Sequence, residues 1–171
     1  MLFFIELGTR RVHVAGVTEH PDGTWVAQQA RNTVWLLDER EADTDLRCLI
    51  RDNDKKFSSS FDAVFESEGI KILRTPYQAP NANSIAERWI KSARNECLDL
   101  ILIWNETHLR RTLNDFADYY NHARPHQSLD QQSPVPRTPP DTEGDVTCRQ
   151  VLGGIINDYD RVPNNSVMAS V

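Results

Sequence analysis

Two aspartates follow a short apolar run in the stretch LIRDNDKKF, at residues 49–57. An apolar run followed by Asp52 and Asp54 is typical of a buried strand that ends in carboxylates. Carboxylates in such a place cost free energy unless a cation or a hydrogen-bond donor holds them. The pattern therefore raises the question of what these two side chains bind.

A calcium loop of the EF-hand type opens with a similar acidic pattern and is one candidate. That loop needs an oxygen ligand at its fifth position, glycine at its sixth and glutamate at its twelfth. The sequence has Lys56, Phe57 and Ala63 at those positions. An EF-hand loop is therefore excluded.

Glu87 is the next acid to consider, in a predicted helix that follows a loop rich in proline and asparagine. On that helix Glu87, Lys91 and Arg94 lie at i, i+4 and i+7, opposite the apolar stripe. One face thus offers a carboxylate followed by two cations, as expected where a metal ion meets a phosphate backbone.

Simpler interpretations of the same residues stay open. Ser84 and Glu87 have the spacing of a capping box, in which Glu87 would bond the Ser84 backbone N–H. Lys91 is then an ordinary i, i+4 partner of Glu87, and Arg94 a solvated charge. Asp52 would begin a turn or cap the next helix.

The predicted elements that carry these residues alternate between strands and helices. An N-terminal hairpin turns at Gly8–Thr9, and short strands follow at residues 46–50 and 70–73. Helices are predicted over residues 24–38, 58–68, 84–102 and from Asn105 to about Arg124. This order predicts an α/β fold with a mixed sheet, an antiparallel hairpin followed by βαβ units.

Composition sets broad limits on the protein. The chain has 171 residues, 39% hydrophobic and 26% charged, which is ordinary for a soluble globular domain. No apolar run approaches the roughly 20 residues of a membrane span. Three widely spaced cysteines favour reduced thiols in a cytosolic protein. The net charge of −6 is unevenly spread, so it does not decide whether nucleic acid is a partner.

Three segments in combination resemble the catalytic core of DDE-type transposases and retroviral-type integrases, in particular the integrase-core transposases of bacterial insertion sequences. They are LIRDNDKKF, RTPYQAPNANSIAERWIKSARNECLD and YYNHARPHQSL. The resemblance covers about residues 1–135. It implies a ribonuclease H-like mixed sheet flanked by helices, and three carboxylates that hold two Mg²⁺ (or Mn²⁺) ions.

Matching motif to motif, the resemblance implies that Asp52 and Glu87 are catalytic and metal-binding, as the second and third acids of the family. Asp54 stands at a loop position. Lys91 and Arg94 match positions that face DNA in the family, and the neighbouring Arg88 is assigned to DNA binding with them.

The third segment is expected to be a structural motif that closes the core. Its residues are Tyr120, Asn121, Arg124, Pro125 and His126.

The family's first catalytic aspartate lies on a central first strand, and no part of this sequence matches that strand. Glu6 would replace the aspartate only if the register of the hairpin shifted. We therefore expect a core truncated at its N-terminus, with metal binding weakened or lost and no strand transfer by this chain alone. The alternative is a non-catalytic transposase remnant that binds DNA or the full-length transposase, or a pseudogene product.

The resemblance and composition also set the expected organisation. Residues 1–135 are predicted to be the catalytic core, and residues 136–171 a proline-rich linker and a poorly ordered tail. The expected partners are DNA, as transposon ends and target, and further copies of the chain or the full-length transposase. The expected location is the bacterial cytoplasm.

Overall fold

A computed structural model of the protein describes residues 1–38, 46–76, 83–137 and 144–162. Parts of several predicted features lie outside the described residues. They are the centre of the proline- and asparagine-rich loop at residues 77–82, the linker at residues 138–143 and the end of the tail at residues 163–171.

Strands and α-helices alternate through most of the described chain. In chain order they are β1 (Leu2–Ile5), β2 (Val12–Gly16), α1 (Gly23–Asp38), β3 (Cys48–Arg51), α2 (Ser59–Ser67), β4 (Lys71–Arg74), α3 (Ser84–Glu96), α4 (Glu106–His122), β5 (Asp145–Val151) and β6 (Ile156–Val162). The α/β class predicted from the sequence is confirmed. None of the described helices is long and apolar enough to cross a membrane.

Helix α3 ends six residues before its predicted end at residue 102. The backbone leaves the helical region at Cys97, and a 3₁₀ turn follows at Leu98–Leu100. Asn105 then begins α4, because its side chain accepts a hydrogen bond from the His108 N–H at 2.8 Å. The helix was predicted to be too long because the segment that connects α3 to α4 is itself apolar and continues the apolar pattern.

The strands form three two-stranded sheets, β1–β2, β3–β4 and β5–β6. Strands β3 and β4 are parallel, with Cys48 opposite Lys71 and Arg51 opposite Arg74. The single mixed sheet expected from the sequence is therefore not formed by the described residues, in which β1 and β3 are not neighbours in any sheet. The ribonuclease H-like arrangement stays a prediction.

Strands β5 and β6 form a hairpin within residues 136–171, the segment that the sequence analysis assigned to a linker and tail. The strands pair antiparallel from Asp145 opposite Val162 to Val151 opposite Ile156. Most of their side chains are exposed on both faces. Because no face is largely buried, the sequence lacks the alternation that predicts a strand.

The backbone divides into two compact units. The first contains residues 1–4 and 13–91, and the second contains residues 5–12 and 92–171. This division differs from the predicted boundary after residue 135, so the proposed domain organisation stays a prediction.

In the first unit, helices α1 and α2 bury a shared apolar core. Its members are Val26, Ala30, Val34, Phe61, Phe65 and Ile70. The first three recur every four residues along α1, as the sequence predicts. Trp89 of α3 is also fully buried in this unit, with its ring 4.3 Å from that of Phe3. Trp35 is 63% exposed and does not belong to the core.

In the second unit, the buried face of α4 supplies most of the core. Leu113, Phe116, Ala117 and Tyr120 are buried there, at the three- and four-residue spacing of one helix face. Cys97, which follows α3, is also fully buried. Burial raises the pKa of its thiol to about 11, so this cysteine is an unreactive core residue.

Candidate active site

Asp52 lies directly after β3, where the chain leaves the sheet, and its side chain is exposed. One carboxylate oxygen, Oδ1, accepts a hydrogen bond from the Asp54 N–H at 3.0 Å. This is the contact that a turn role of Asp52 predicts. Among the described residues no donor contacts the second oxygen, Oδ2, so the side chain retains a free ligand atom.

Arg51 fixes the backbone on which Asp52 stands. Its side chain is 6% exposed and forms a bidentate salt bridge with Asp62 of α2. Its Nε donates to Oδ1 of Asp62 and its Nη2 donates to Oδ2, each at 2.7 Å. Its remaining terminal nitrogen, Nη1, donates to the Asp52 carbonyl at 2.8 Å. Because a buried guanidinium with all three nitrogens bonded has little freedom, the end of β3 is held in one position.

Asp62 is charged in the folded protein. The hydrogen bonds from Arg51 lower the pKa of its carboxyl, burial acts in the opposite direction, and a contact from Arg74 adds to the lowering. In this buried ion pair each charged group neutralises the other and satisfies its hydrogen bonds, so removing either one would leave an uncompensated buried charge. The pair therefore depends on both residues.

Asp54 is a turn residue, as expected. Its Oδ1 accepts from the Lys56 N–H at 3.0 Å, and its Oδ2 lies 3.4 Å from the Lys56 ammonium. The bond from the Lys56 backbone is the main cause that lowers the pKa of Asp54. Both oxygens thus have local partners.

The ends of β3 and β4 are joined beside Asp52. The Thr75 N–H donates to the Arg51 carbonyl at 2.9 Å, continuing the parallel ladder by one bond. The Asn53 side chain then donates to the Thr75 carbonyl at 3.0 Å. The turn that carries Asp52 is therefore tied to the chain that leaves β4.

Glu87 lies in the first turn of α3 and is exposed. Its N–H donates to the Asn83 carbonyl at 2.9 Å, the first bond of the helix, so Asn83 occupies the N-cap position. A capping box needs its glutamate three residues after the N-cap, whereas Glu87 is four residues after Asn83. The Ser84–Glu87 box is therefore not formed, and no described residue bonds the Glu87 carboxylate.

The cations assigned to DNA binding are all on α3 and all exposed: Arg88, Lys91 and Arg94. Arg94 makes one long contact, 3.8 Å from Nε to the Asp99 carboxylate. A contact of that length between exposed groups constrains a side chain little. The described residues thus leave the cationic groups of this helix available to an anion.

Within the second unit, the third sequence motif makes structural contacts. The side chain of Asn121 bonds both the N–H and the carbonyl of Val12, each at 2.8 Å. Arg124 forms a bidentate salt bridge with Glu96, in which Nη2 donates to Oε1 at 2.7 Å and Nε donates to Oε2 at 2.8 Å. The buried ring of His126 packs edge-on against Tyr120, with 4.5 Å between centroids.

The contacts of Asn121 and Arg124 pair polar groups with partners within the second unit, as a structural role requires. Pro125 lies between Arg124 and His126, after the end of α4. The assignment of the five residues as a structural motif stays a prediction that these contacts favour.

The donor set at Asp52 and Glu87 suits a hard divalent cation. Mg²⁺ takes oxygen ligands and is commonly bound by one or two carboxylates together with water and substrate phosphates. Among the described residues, no group of three or more histidine, cysteine or acidic side chains is placed to hold a metal ion. Asp52 and Glu87 are ligands of the chemical type that such an ion takes. The convergence of the two carboxylates stays a prediction.

Arg51 and Asp62 were not identified as site residues from the sequence. A signal was present in each case. Arg51 is a cation at the end of an apolar strand, and Asp62 is an acid beside Phe61 on the buried face of α2. An unpaired charge at either position is unfavourable, so each residue indicates a partner of opposite charge without specifying which one.

A match is found in the comparison with known families. Residues 68–134 are similar to the integrase core domain. The matched segment contains Glu87, the cations of α3 and the Tyr120–His126 motif, whereas Asp52 precedes it. No curated protein matches the chain. The match supports an integrase- or transposase-type catalytic core, and it confirms the resemblance inferred from the motifs for residues 68–134.

Proposed function

We propose that this chain supplies the catalytic core of a DNA-recombining enzyme of the transposase and integrase type, with Asp52 and Glu87 as its metal ligands. The observation that carries the proposal is the similarity of residues 68–134 to the integrase core domain. Asp52, outside that segment, is included because it follows the strand that pairs in parallel with β4. Side chains at the carboxyl ends of adjacent parallel strands share one edge of a sheet.

Each residue has a defined task in this proposal. Asp52 and Glu87 hold Mg²⁺ or Mn²⁺, and Arg51 keeps the backbone of Asp52 in position. Arg88, Lys91 and Arg94 bind the phosphate backbone of transposon-end or target DNA. Divalent ions held by these carboxylates would supply the Lewis-acid chemistry that activates a water or a DNA 3′-hydroxyl and stabilises the leaving oxygen of an in-line attack on phosphorus.

Metal binding tests the two ligands directly. Mn²⁺ binding to the 171-residue chain is measured by calorimetry for the wild type, Asp52→Asn and Glu87→Gln. Losing even a group that only orients a ligand costs about 10–100-fold in affinity, so each substitution is expected to weaken binding at least about tenfold.

Asp54→Asn is the matched control, because Asp54 is a neighbouring acid whose oxygens are used within its own turn. It should bind Mn²⁺ as the wild type does. Equal weakening by Asp54→Asn and Asp52→Asn would assign the effect to the turn, and unchanged binding in Asp52→Asn and Glu87→Gln would overturn the ligand assignment.

We also propose that the chain by itself does not catalyse strand transfer, because motif matching supplies two of the family's three carboxylates. Removing one carboxylate from a metal-bridging set leaves the other two repelling each other around a weakened site. The test is a Mg²⁺- or Mn²⁺-dependent cleavage assay on transposon-end DNA. Cleavage that Asp52→Asn abolishes would show the chain to be an active enzyme.

The second candidate function is non-catalytic, and the same motif count favours it. In that role the protein binds DNA, another copy of itself or the full-length transposase. It predicts DNA association that persists in the presence of a chelator, with no turnover. DNA binding that appears only with a divalent metal would count against this second function.

A further inference from the structure

The carboxylate of Asp62 holds two guanidinium groups at once. In addition to the two bonds from Arg51, it accepts one from Nη2 of Arg74 at 3.0 Å. The two arginines differ in their surroundings. The side chain of Arg51 is 6% exposed, whereas that of Arg74 is 63% exposed.

This arrangement leaves one positive charge in excess, and the excess lies at Arg74. One carboxylate balances one guanidinium, and the buried Arg51 takes both of its oxygens in a two-pronged pair. Arg74 contributes a single bond of the five that a guanidinium can donate. Among the described residues no second acceptor contacts Arg74, so most of its donors face solvent.

The position of Arg74 is fixed relative to Asp52. Arg74 is the register partner of Arg51 in the β3–β4 ladder, and paired strands lie about 4.8 Å apart. The Thr75 and Asn53 bonds join the next residues of the two strands. Asp62 then holds the Arg74 guanidinium from the helix side. The exposed cation therefore lies at the same sheet edge as the candidate metal ligand.

We propose that Arg74 is a phosphate-contacting residue of the candidate active site, held in place by Asp62, and that its ligand is the backbone of bound DNA. This inference rests on the proposed function, which brings DNA to Asp52. A guanidinium held by one nitrogen keeps a planar edge free, and that edge matches two oxygens of a phosphate. The Arg74 end of this pair is 63% exposed, and Arg51 already supplies the buried counter-charge of Asp62, so the contact from Arg74 contributes little to stability by itself.

The experiment measures binding of a fluorescein-labelled 20-base-pair DNA duplex to the full 171-residue chain by anisotropy, over a range of salt concentrations. Each phosphate contact to duplex DNA adds about 0.9 to the slope of log affinity against log salt. Arg74→Gln is therefore expected to reduce that slope by about one and to weaken binding about three- to tenfold near 0.1 M salt.

Arg31→Gln is the matched control. Arg31 is an exposed arginine in the same unit, on α1, with a single side-chain bond to Gln28 at 3.1 Å. The Arg31→Gln variant loses the same charge as Arg74→Gln, but at a position distant in sequence from the candidate site. It should leave the slope of log affinity against log salt unchanged. Arg74→Lys keeps the charge without the planar fork and should restore the slope but only part of the affinity.

Urea unfolding of each variant provides the fold control, and the midpoints of Arg74→Gln and Arg31→Gln should agree with that of the wild type. If the wild type binds DNA and Arg74→Gln behaves as Arg31→Gln does, this inference is overturned and the proposed function stands. If the wild type shows no salt-dependent DNA binding, the proposed function fails and this inference fails with it.

Discussion

Asn121 bonds the backbone of Val12 in both directions, across 109 positions of sequence. Its Oδ1 accepts from the Val12 N–H and its Nδ2 donates to the Val12 carbonyl, each at 2.8 Å and each buried. One side-chain amide thus satisfies both the N–H and the carbonyl of Val12. A neighbouring strand would satisfy the same two groups in a β-sheet. Asn121 thereby replaces a neighbouring strand at the start of β2.

Asn121→Ala should destabilise the protein by about 2–4 kcal/mol, because both backbone groups of Val12 lose their partner in a buried place. The measurement is the free energy of unfolding in urea. Asn32→Ala is the control, since Asn32 is exposed on α1 and, among the described residues, its side chain bonds only that of Gln28. That substitution should change the free energy of unfolding by less than about 0.5 kcal/mol. A similar loss in both variants would contradict the role assigned to Asn121.

Asp62→Ala should be more costly, at about 3–5 kcal/mol, because it leaves the Arg51 guanidinium buried without a counter-charge. The double variant Arg51→Met, Asp62→Leu removes both charges and keeps most of the volume. It should be clearly more stable than Asp62→Ala in urea unfolding. A double variant that is as unstable as the single one would show that the cost arises from packing rather than from charge.

The same ion pair predicts a loss of stability in acid. The folded pKa of Asp62 lies below its unfolded value, which is close to 3.9 for an aspartate. The contribution of the charged carboxylate is therefore complete above about pH 4 and is lost as the pH falls through the folded pKa. Urea midpoints measured from pH 6 to pH 2 should fall less steeply in the double variant than in the wild type. Equal slopes would contradict this assignment.

Local sequence patterns predicted the elements up to α4. The residues that form each buried face recur at regular spacing within one short segment. The stripe Val26, Ala30 and Val34 and the burial of Trp89 and Ala93 follow directly from helical spacing. The turn role of Asp54 follows in the same way from its neighbours. Each of these features is decided within about ten residues of chain.

Contacts between distant residues were not predictable in this way. The choice of Asp62 as the partner of Arg51 depends on how α2 lies over the end of β3, and the pairing of Asn121 with Val12 crosses most of the chain. The division into three two-stranded sheets likewise depends on which strands meet. Sequence periodicity specifies which face of an element is buried, but not which element covers it.

His126 should make the protein less stable below neutral pH. Its ring is 8% exposed, and burial is the main cause that lowers its pKa, with the Arg124 guanidinium adding to the effect. The unfolded value is about 6.5, so the unfolded chain takes up the proton first as the pH falls. The stability supplied by the neutral ring is complete above about pH 6.5 and is lost as the pH falls towards the folded pKa.

The measurement compares urea midpoints at pH 7.5 and pH 5.5 for the wild type and His126→Phe. The phenylalanine keeps the edge-on contact with Tyr120 and cannot be protonated, so its midpoint should change less between the two pH values. His20→Gln, at an exposed histidine, should retain the wild-type pH dependence. An unchanged pH dependence in His126→Phe would contradict the prediction.

Asp158 should hold the β5–β6 hairpin in place within the second unit. Its carboxylate is 8% exposed and accepts bonds from Arg137 and from Arg149, and Arg149 also lies 3.3 Å from Asp118 of α4. A two-stranded hairpin is marginally stable by itself, so this network supplies much of what keeps it folded. Asp158→Asn removes the acidic partner of Arg137 and leaves Arg149 with its contact to Asp118, so the hairpin loses most of this ion-pair network.

Amide hydrogen exchange of residues 146–150 gives the readout, because it reports local opening of the hairpin. Exchange there should be at least about tenfold faster in Asp158→Asn, while the amides of α4 keep their protection, since each 1.4 kcal/mol of lost local stability is a factor of ten. Asp160→Asn, two residues along β6 at an exposed position, is the control and should leave exchange unchanged. Exchange that is equally fast in both variants would show that the hairpin is not held by the Asp158 network.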